Sequence, residues 1–453
     1  MDAISQFAGY VAETKFPDLP REVVENTKKF IIDTIGVGIA GLKAPGCQET
    51  LVTVQKWGGP PESTVLLSNY QCPAPWAAFL NSVFMHALDF DDTLDISALH
   101  ANVSTLPAAL ALAETKEGTT GRDLICAVAI GQDVTCRIGS SLKRPLAWIK
   151  TATCGGFGAT AAAGKILKLD KERIWDAFGI AYSQTSGNMQ CLLDGALVKR
   201  MQPAFAAKAA VISSLLAQNG ITGTRNVLEG DYGFFKLYEG NEYDREILLD
   251  GLGKDYKGMD LSVKPYPCCR MTHASIDAAL QLRKDSQFKI SAIEKIRVSP
   301  SKMSFEMVGS PFQIRKNPQV DAQFSIPYTV AVALTKGDVF LEDFEEKNVF
   351  NNELKTLAGK VVVSPDLSLD QRDIMHCHIE AFMKGGKIIR AEISAIKGNP
   401  LNPMSIDDCM EKFRKCVSYG PRKISKEKIF NILNILSNLE DIKDIKQLTG
   451  LLA

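Results

Sequence analysis

Runs rich in alanine and leucine recur through the first 260 residues, and they restrict this part of the chain to closely packed helices. Alanine and leucine have high helix propensity, and small side chains allow helices to approach one another. The runs are residues 106–114, 124–131, 158–167, 175–182 and 206–218. We therefore predict an all-helical domain over residues 1–260.

Two prolines indicate where helices begin. Pro20 precedes apolar residues at helical spacing, among them Val24 and Ile31, and this pattern predicts a helix over residues 20–43. Pro107 stands in the same way near the beginning of a later apolar run, and we expect it in the first turn of that helix.

The pattern changes near residue 261, where alternating apolar and polar residues become common. Residues 293–299 and 360–364 alternate as strands do. Residues 374–383 and 387–396 also alternate, on the two sides of a Gly-Gly pair, and this arrangement is typical of a β-hairpin. The sequence therefore predicts a second domain that contains a sheet.

The predicted fold class is mainly α, with a large all-helical domain and a smaller α+β lid domain. The lid domain covers residues 261–400 and includes a helix over residues 324–334. Residues 401–453 return to a charged helical pattern. Composition leaves open whether this C-terminal segment joins the lid domain or the helical domain.

Charge and composition exclude several classes of partner. Lysine and arginine total 52, as do aspartate and glutamate, so the chain lacks the basic excess that nucleic-acid binding usually needs. The N-terminus has no signal-peptide pattern, and no apolar stretch is long enough for a membrane span. The 11 cysteines are irregularly spaced, as in reduced cytoplasmic proteins. We expect a cytoplasmic protein that captures any anionic substrate with a local cluster of charges.

The densest polar cluster covers residues 86–93, with His100 shortly after it. His86, Asp89, Asp91 and Asp92 fall within seven residues, and the apolar neighbours of these groups favour partial burial. Burying so many titratable groups is costly unless they are paired. The cluster is therefore a candidate site, and a solvated loop with helix caps is the alternative.

Two further clusters carry cations. Lys199 and Arg200 precede a small-residue helix and could bind carboxylates, or form an exposed basic turn. Lys264, Arg270 and His273 lie in a segment that two prolines stiffen, which suits either a rigid site or a domain linker.

Three short motifs allow rival interpretations. Residues 91–95 match DDxxD, a magnesium-diphosphate motif, but no second aspartate-rich helix accompanies them. Residues 156–161 resemble a dinucleotide-binding GxGxxA motif, but they lie in a helical tract, where close helix packing explains the glycines. Residues 376–380 place two histidines and a glutamate on one strand face, either as a zinc site or as an exposed face; we favour the exposed face.

An ordered series of segments resembles the MmgE/PrpD family along nearly the whole chain. The segments include HALDFDDT at 86–93, TATCGGFGA at 151–159, VLEGDYGF at 227–234 and KPYPCCRMTH at 264–273. This family includes 2-methylcitrate dehydratase, cis-aconitate decarboxylase and an iminodisuccinate epimerase. The resemblance implies a helical domain with an α+β lid, a homodimer, a small carboxylate substrate, and neither a metal nor an organic cofactor.

The resemblance also implies site residues. The family's active-site positions carry over onto residues of the expected types, namely Asp89, Thr93, His100, Lys199, Lys264 and Tyr328. We further predict substrate contacts from the remaining polar residues of the clusters, namely His86, Arg200, Arg270 and His273.

The chain departs from the family pattern at two positions. Ile149 and Gln202 occupy positions where many members have histidine. A missing imidazole removes an acid/base group or a carboxylate ligand, and this makes the exact reaction uncertain. A catalytically inactive binding paralogue is a further alternative.

The chemistry that the resemblance implies is proton abstraction or decarboxylation next to a carboxylate. Lys199, Lys264 and Arg270 would stabilise the resulting carbanion, and His100 would act as acid or base, with Asp89 orienting its ring or the substrate. We expect a 2-methylcitrate dehydratase-like hydro-lyase first, with epimerisation or decarboxylation of a related carboxylate as alternatives.

Overall fold

The chain divides into two compact units in a computed structural model that describes residues 2–144, 147–315 and 317–453. The first unit comprises Met1–Val263 and Ser405–Ala453, and the second comprises Lys264–Met404. The C-terminal segment, whose place the composition left open, thus belongs to the first unit from Ser405 onwards. The prediction of a mainly α fold with a smaller α+β part is confirmed.

Helices form most of the first unit. Up to residue 263 they are α1 (Ala3–Glu13), α2 (Arg21–Gly41), α3 (Cys47–Trp57), α4 (Ala74–His86), α5 (Asn102–Thr115), α6 (Gly121–Ser141), α7 (Lys150–Thr153), α8 (Gly155–Ile166), α9 (Lys171–Tyr182), α10 (Gln190–Leu193), α11 (Gln202–Gln218), α12 (Phe234–Glu239) and α13 (Arg245–Leu249). The unit also contains a short antiparallel pair, β1 (Ser63–Val65) and β2 (Tyr70–Cys72), which the sequence analysis did not predict. Strands of three residues are too short to show alternation.

Small residues bring the central helices of the first unit together. An added Cβ at Gly158 of α8 would lie 1.9 Å from Thr135 Oγ1 and 2.3 Å from the main-chain oxygen of Gly131, both in α6. Residues 156–161 therefore serve close helix packing, as the sequence analysis favoured over dinucleotide binding.

Helix α5 begins earlier than the sequence predicts. Its first residue is Asn102, so Pro107 lies inside the helix and not in its first turn. The carboxylate of Asp92 accepts hydrogen bonds from the backbone N–H groups of Ala101 and Asn102, at 2.8 and 3.2 Å. A carboxylate stabilises the unpaired N–H groups at a helix beginning. This contact with a carboxylate nine residues upstream explains why the proline rule misplaced the first turn.

The second unit packs helices against a mixed sheet. Its helices are α14 (His273–Arg283), α15 (Lys302–Val308), α16 (Pro318–Gln323), α17 (Ile326–Lys336), α18 (Glu346–Val349) and α19 (Asn352–Ala358). Its strands are β3 (Ile293–Pro300), β4 (Val361–Val363), β5 (Cys377–Met383) and β6 (Ile388–Ile393), in the order β4-β3-β5-β6. Strands β5 and β6 pair antiparallel, which confirms the predicted hairpin, and β3 pairs parallel with β4.

Strand β5 buries one face and leaves the other half-buried. Cys377, Ile379 and Ala381 are buried in the core of the second unit. On the opposite face, the side chains of His378 and Glu380 are 38% and 23% exposed. This matches the exposed-face interpretation of residues 376–380.

The C-terminal segment adds α20 (Ile406–Tyr419), α21 (Lys426–Ser437) and α22 (Lys446–Leu452) to the first unit. Helix α20 packs closely on α2, because an added Cβ at Gly36 would lie 3.0 Å from the ring of Phe413. Within the described ranges, no helix is long and apolar enough to cross a membrane.

Candidate active site

The connection between α4 and α5 carries the densest group of titratable side chains. His86 is the last residue of α4, and Asp89 follows in the left-handed region with φ of +54°. A residue other than glycine adopts this conformation at a cost, and such strain is common at functional sites.

Two histidines of this connection contact one carboxylate oxygen. His86 Nδ1 lies 2.8 Å from Asp91 Oδ2, and His100 Nδ1 lies 2.9 Å from the same atom. The two rings meet edge to face, with centroids 4.9 Å apart. Asp91 and His86 are buried, whereas the His100 side chain is 11% exposed. The carboxylate therefore orients both rings.

Lys199 extends this group on the far side of His86. Its Nζ lies 3.1 Å from His86 Nε2 and 3.5 Å from Asp89 Oδ1. An ammonium group can only donate, so Nε2 of His86 must accept, and the ring proton is then on Nδ1 and faces Asp91. The result is a hydrogen-bonded chain from Asp91 through a neutral His86 to Lys199.

Burial and the neighbouring groups together set the protonation states of this cluster. Burial, together with the positive charge of Lys199, lowers the pKa of His86 to about 4. Burial alone would raise the pKa of Asp91, but the contacts with His100 and His86 outweigh it and hold this pKa well below its usual range. Burial and the neighbouring charge of Asp91 raise the pKa of Asp92 to about 7. A neutral imidazole thus separates a carboxylate from an ammonium group.

Main-chain contacts fix the rest of the connection. Thr93 exchanges two backbone hydrogen bonds with Ser262, at 2.9 and 2.8 Å. The N–H of His100 donates to Thr151 Oγ1 at 3.2 Å. The backbone on both sides of the titratable cluster is therefore held by distant parts of the first unit.

The same cluster could be considered for a metal ion. Ligand atoms of His86, Asp91 and His100 lie within 4.8 Å of one another, and no other such group occurs in the described ranges. Both imidazoles already contact one Asp91 oxygen, however, and the Lys199 ammonium lies 3.1 Å from His86. A divalent ion would have to displace these contacts beside an existing cation, so the residues fit a proton chain better than a metal site.

The DDxxD motif does not gather its carboxylates. Asp91 contacts the two histidines, Asp92 accepts from the beginning of α5, and Asp95 accepts from Ser262 Oγ at 2.7 Å. Three carboxylates with separate partners do not form the bridged metal site of a prenyl synthase.

The two departures from the family pattern are neighbours in the fold. An added Cβ at Gly187 would lie 3.5 Å from Ile149 Cβ and 3.1 Å from Gln202 Oε1. Ile149 belongs to a small apolar cluster with Cys191. The amide of Gln202 is bonded to the backbone N–H and carbonyl of Asn188, at 2.6 and 3.0 Å. Neither side chain supplies a proton-transfer group there.

Arg200, another predicted site residue of the first unit, has a structural contact. Its guanidinium donates to the main-chain oxygen of Pro45 at 2.7 Å. Its role in substrate binding stays a prediction.

Four of the predicted residues belong to the second unit. Lys264 is buried, and Arg270 Nη1 lies 3.2 Å from Nδ1 of the buried His273. Tyr328 donates to the main-chain oxygen of Asp343 at 2.6 Å, and burial raises its pKa. Their roles in a site stay predictions.

In the first unit, the structure brings together four of the predicted residues: His86, Asp89, His100 and Lys199. It also gives a central place to Asp91, which belongs to the predicted polar cluster but is not among the predicted catalytic or substrate-binding residues. The signal was present, since Asp91 lies in the HALDFDDT segment, but the spacing alone does not tell which aspartate faces the imidazoles.

Two family models match most of this chain. The MmgE/PrpD N-terminal domain model matches residues 5–246, and the MmgE/PrpD C-terminal domain model matches residues 266–436. The chain therefore belongs to the MmgE/PrpD family, and the resemblance read from the sequence is confirmed.

Several curated relatives are similar over most of their length. A cis-aconitate decarboxylase-like protein, oryM, of Aspergillus oryzae is 27% identical over 437 residues, which cover 91% of this chain and 90% of the relative. A cis-aconitate decarboxylase of Aspergillus terreus is 30% identical over 375 residues, with 78% and 76% covered. The cis-aconitate decarboxylase of Homo sapiens is 26% identical over 432 residues, with 90% and 86% covered.

Proposed function

We propose that this protein is a lyase that removes carbon dioxide from a small tricarboxylate of the cis-aconitate type, with no metal ion or organic cofactor. The observation that carries the proposal is the hydrogen-bonded chain of Asp91, neutral His86 and Lys199, with His100 on the same carboxylate. The names of the relatives support decarboxylation. Dehydration, the first expectation from the sequence, becomes the second candidate.

Decarboxylation needs a cation near the carbon that loses carbon dioxide. When the carbon–carbon bond breaks, its electron pair stays on the substrate and is delocalised as an enolate-like anion. The Lys199 ammonium is 25% exposed and is held by His86 and Asp89, so it can face such an anion without a large rearrangement. A fixed cation in a poorly hydrated site stabilises developing negative charge effectively.

The reaction is completed by one proton, which forms the new carbon–hydrogen bond. His86 is poorly suited to deliver it, because the ring is buried and both nitrogens have partners. The His100 side chain is 11% exposed, against 1% for His86, and it contacts Asp91 through Nδ1, which leaves Nε2 to carry a proton to the substrate. We therefore assign the acid role to His100, and assign His86 to holding Lys199.

This arrangement also supports ranking decarboxylation above dehydration. Dehydration needs a base for the carbon-bound proton and an acid for the departing hydroxyl group, on separate groups. Decarboxylation needs only one proton donor and one stabilising cation. In the described part of the first unit, His100 and Lys199 supply these two functions.

A proton NMR assay in D₂O tests the proposal. The enzyme is incubated with cis-aconitate, citrate and 2-methylcitrate in separate samples, and evolved carbon dioxide is measured in parallel. We expect carbon dioxide and a monodeuterated dicarboxylate from cis-aconitate alone. Water loss from 2-methylcitrate without carbon dioxide would instead establish the dehydratase. No reaction with any of the three would contradict both assignments and favour a binding paralogue.

A further inference from the structure

A lysine of the C-terminal segment contacts the backbone of the candidate active site. Lys412 lies on α20, and its side chain is 5% exposed. Its Nζ donates to the main-chain oxygen of Phe90 at 2.8 Å and lies 3.7 Å from the centroid of the Phe90 ring. The same ammonium lies 2.7 Å from Oδ1 of Asp33, on α2. One buried cation therefore joins three segments that are distant in sequence.

The contacted carbonyl occupies the middle of the site. Phe90 stands between Asp89, which contacts Lys199, and Asp91, which contacts both imidazoles. Rotation of this peptide would move both carboxylates together. Displacements of about 1 Å in a catalytic group can cost a hundredfold in rate, so a contact that fixes this peptide has a direct effect on the geometry.

The charges around Lys412 make the contact difficult to replace. Asp33 is fully buried, and burial raises its pKa, while the charge of Lys412 acts in the opposite direction. The negative charge of Asp91 also reaches Asp33 and raises the same pKa. The lysine thus compensates buried negative charge next to the site as well as holding its backbone.

We propose that Lys412, oriented by Asp33, is a positioning residue for the active site, acting through the Phe90 peptide on Asp89 and Asp91. The proposal rests on the proposed function for its kinetic consequences. Its structural consequence, the orientation of the imidazoles on Asp91, can be measured without any substrate.

The chain contains a matched control for the test. Lys28 lies on α2, the helix that carries Asp33, and its side chain is 3% exposed. Its Nζ is bonded to Glu440 Oε1 at 2.9 Å and to the main-chain oxygen of Ser437 at 3.0 Å. It is thus another buried cation that joins α2 to the C-terminal segment, but it is not bonded to the connection that carries Asp91. Lys412→Met and Lys28→Met each remove a buried ammonium from an ion pair, and only the first removes the contact with Phe90. The partner Asp33 is fully buried whereas Glu440 is 27% exposed, so Lys412→Met should also cost more stability.

Two measurements test the proposal in the whole 453-residue chain. The first is kcat and KM with cis-aconitate. The second is ¹⁵N NMR of the five histidine side chains, with His86 and His100 assigned by single substitutions. We expect Lys412→Met to lower kcat at least tenfold with less change in KM, and to shift the His86 and His100 signals. Lys28→Met should lower the melting temperature but leave kcat within twofold and both signals in place.

Comparable kcat losses in the two variants, or unshifted His86 and His100 signals in Lys412→Met, would overturn the positioning role. If Lys412→Met does not fold, Lys412→Arg and Asp33→Asn replace it, and wild-type signals and kcat in both would overturn the role equally. If the wild-type protein does not decarboxylate the substrate, the proposed function fails, while the NMR comparison still decides the role of Lys412.

Discussion

Two clusters of histidine and carboxylate side chains lie in different units of this protein. In the first unit, His86 and His100 contact a single oxygen of the fully buried Asp91. In the second unit, His376 lies just before β5 and His378 lies in it. Their side chains are 39% and 38% exposed, and each has its own acidic neighbours. The residue types are the same, but the burial and the sharing of a partner differ.

Burial and a shared partner explain why the first cluster, and not the second, is the candidate site. Buried charges interact through a medium of low effective dielectric, so each proton in the first cluster depends on its neighbours. Exposed pairs are screened by water, and each usually contributes less than about 1 kcal/mol. Sequence motifs that list histidines and carboxylates do not separate these two cases.

The largest expected effect comes from Lys199, the cation of the buried cluster. Lys199→Ala should lower kcat/KM for cis-aconitate by about a hundredfold or more, which corresponds to about 2.7 kcal/mol of transition-state stabilisation. The ammonium faces an anion that forms only during the reaction, so the loss should appear mainly in kcat. Steady-state kinetics at saturating and low substrate concentration measure this.

Lys208 is the control for this substitution. Lys208 lies on α11, nine residues after Lys199, and its Nζ lies 4.7 Å from the centroid of the Trp76 ring in the same unit. Lys208→Ala should reduce stability by about 0.5–1 kcal/mol through the lost cation–π contact and leave kcat/KM unchanged. Equal kinetic losses in the two alanine variants would remove Lys199 from the site.

Substituting one histidine of each cluster gives the next largest effect. His86→Gln should lower kcat at least tenfold, because it removes the imidazole between Asp91 and Lys199 and leaves a buried carboxylate with one partner fewer. His378→Gln should keep wild-type kcat, since that ring is exposed. Kinetics of the two purified variants measure the contrast, and a loss confined to His378→Gln would transfer the candidate site to the second unit.

Much of this fold could be predicted from sequence, because periodicity is a local property. The runs between residues 106 and 218 became helices, and the alternating residues around the Gly-Gly pair became β5 and β6. The family segments also indicated His100 and Lys199, which the structure brings to one cluster.

The geometry of the connection between α4 and α5 could not be predicted in this way. Its backbone is held by Ser262 on Thr93 and by Lys412 on Phe90, a residue 322 positions earlier. Such contacts have no periodic signature, so the sequence alone does not show which aspartate faces the imidazoles. The assignment of Asp92 to the beginning of α5 depends on tertiary structure in the same way.

The pH dependence of stability tests whether the buried cluster holds His86 neutral. The pKa of His86 is about 4 in the folded protein, below its ordinary value of 6.5, so the folded state binds fewer protons between these values. The contribution of His86 to the free energy of unfolding is therefore complete above pH 6.5 and is lost as the pH falls towards 4. Asp92, whose pKa is raised to about 7, makes stability depend on pH in the opposite direction. The contribution of His86 is therefore isolated by comparing the wild type with a His86 variant.

Urea unfolding of the wild type and of His86→Gln between pH 7.5 and 4.5 isolates this contribution. The difference in unfolding free energy between the two proteins should shrink as the pH falls, by up to about 3 kcal/mol over the full window. A difference that stays constant with pH would mean that His86 is not held neutral by its surroundings.

The smallest expected effect is that of metal removal, and it decides whether the buried cluster carries protons or an ion. Dialysis against EDTA should leave kcat unchanged, because the two imidazoles share one Asp91 oxygen and the Lys199 ammonium already lies beside His86. Loss of activity that Zn²⁺ or Mg²⁺ restores would contradict this. Repeating the chelation with His378→Gln then separates the units: a metal requirement that survives this substitution belongs to the buried cluster, and one that disappears belongs to the exposed strand.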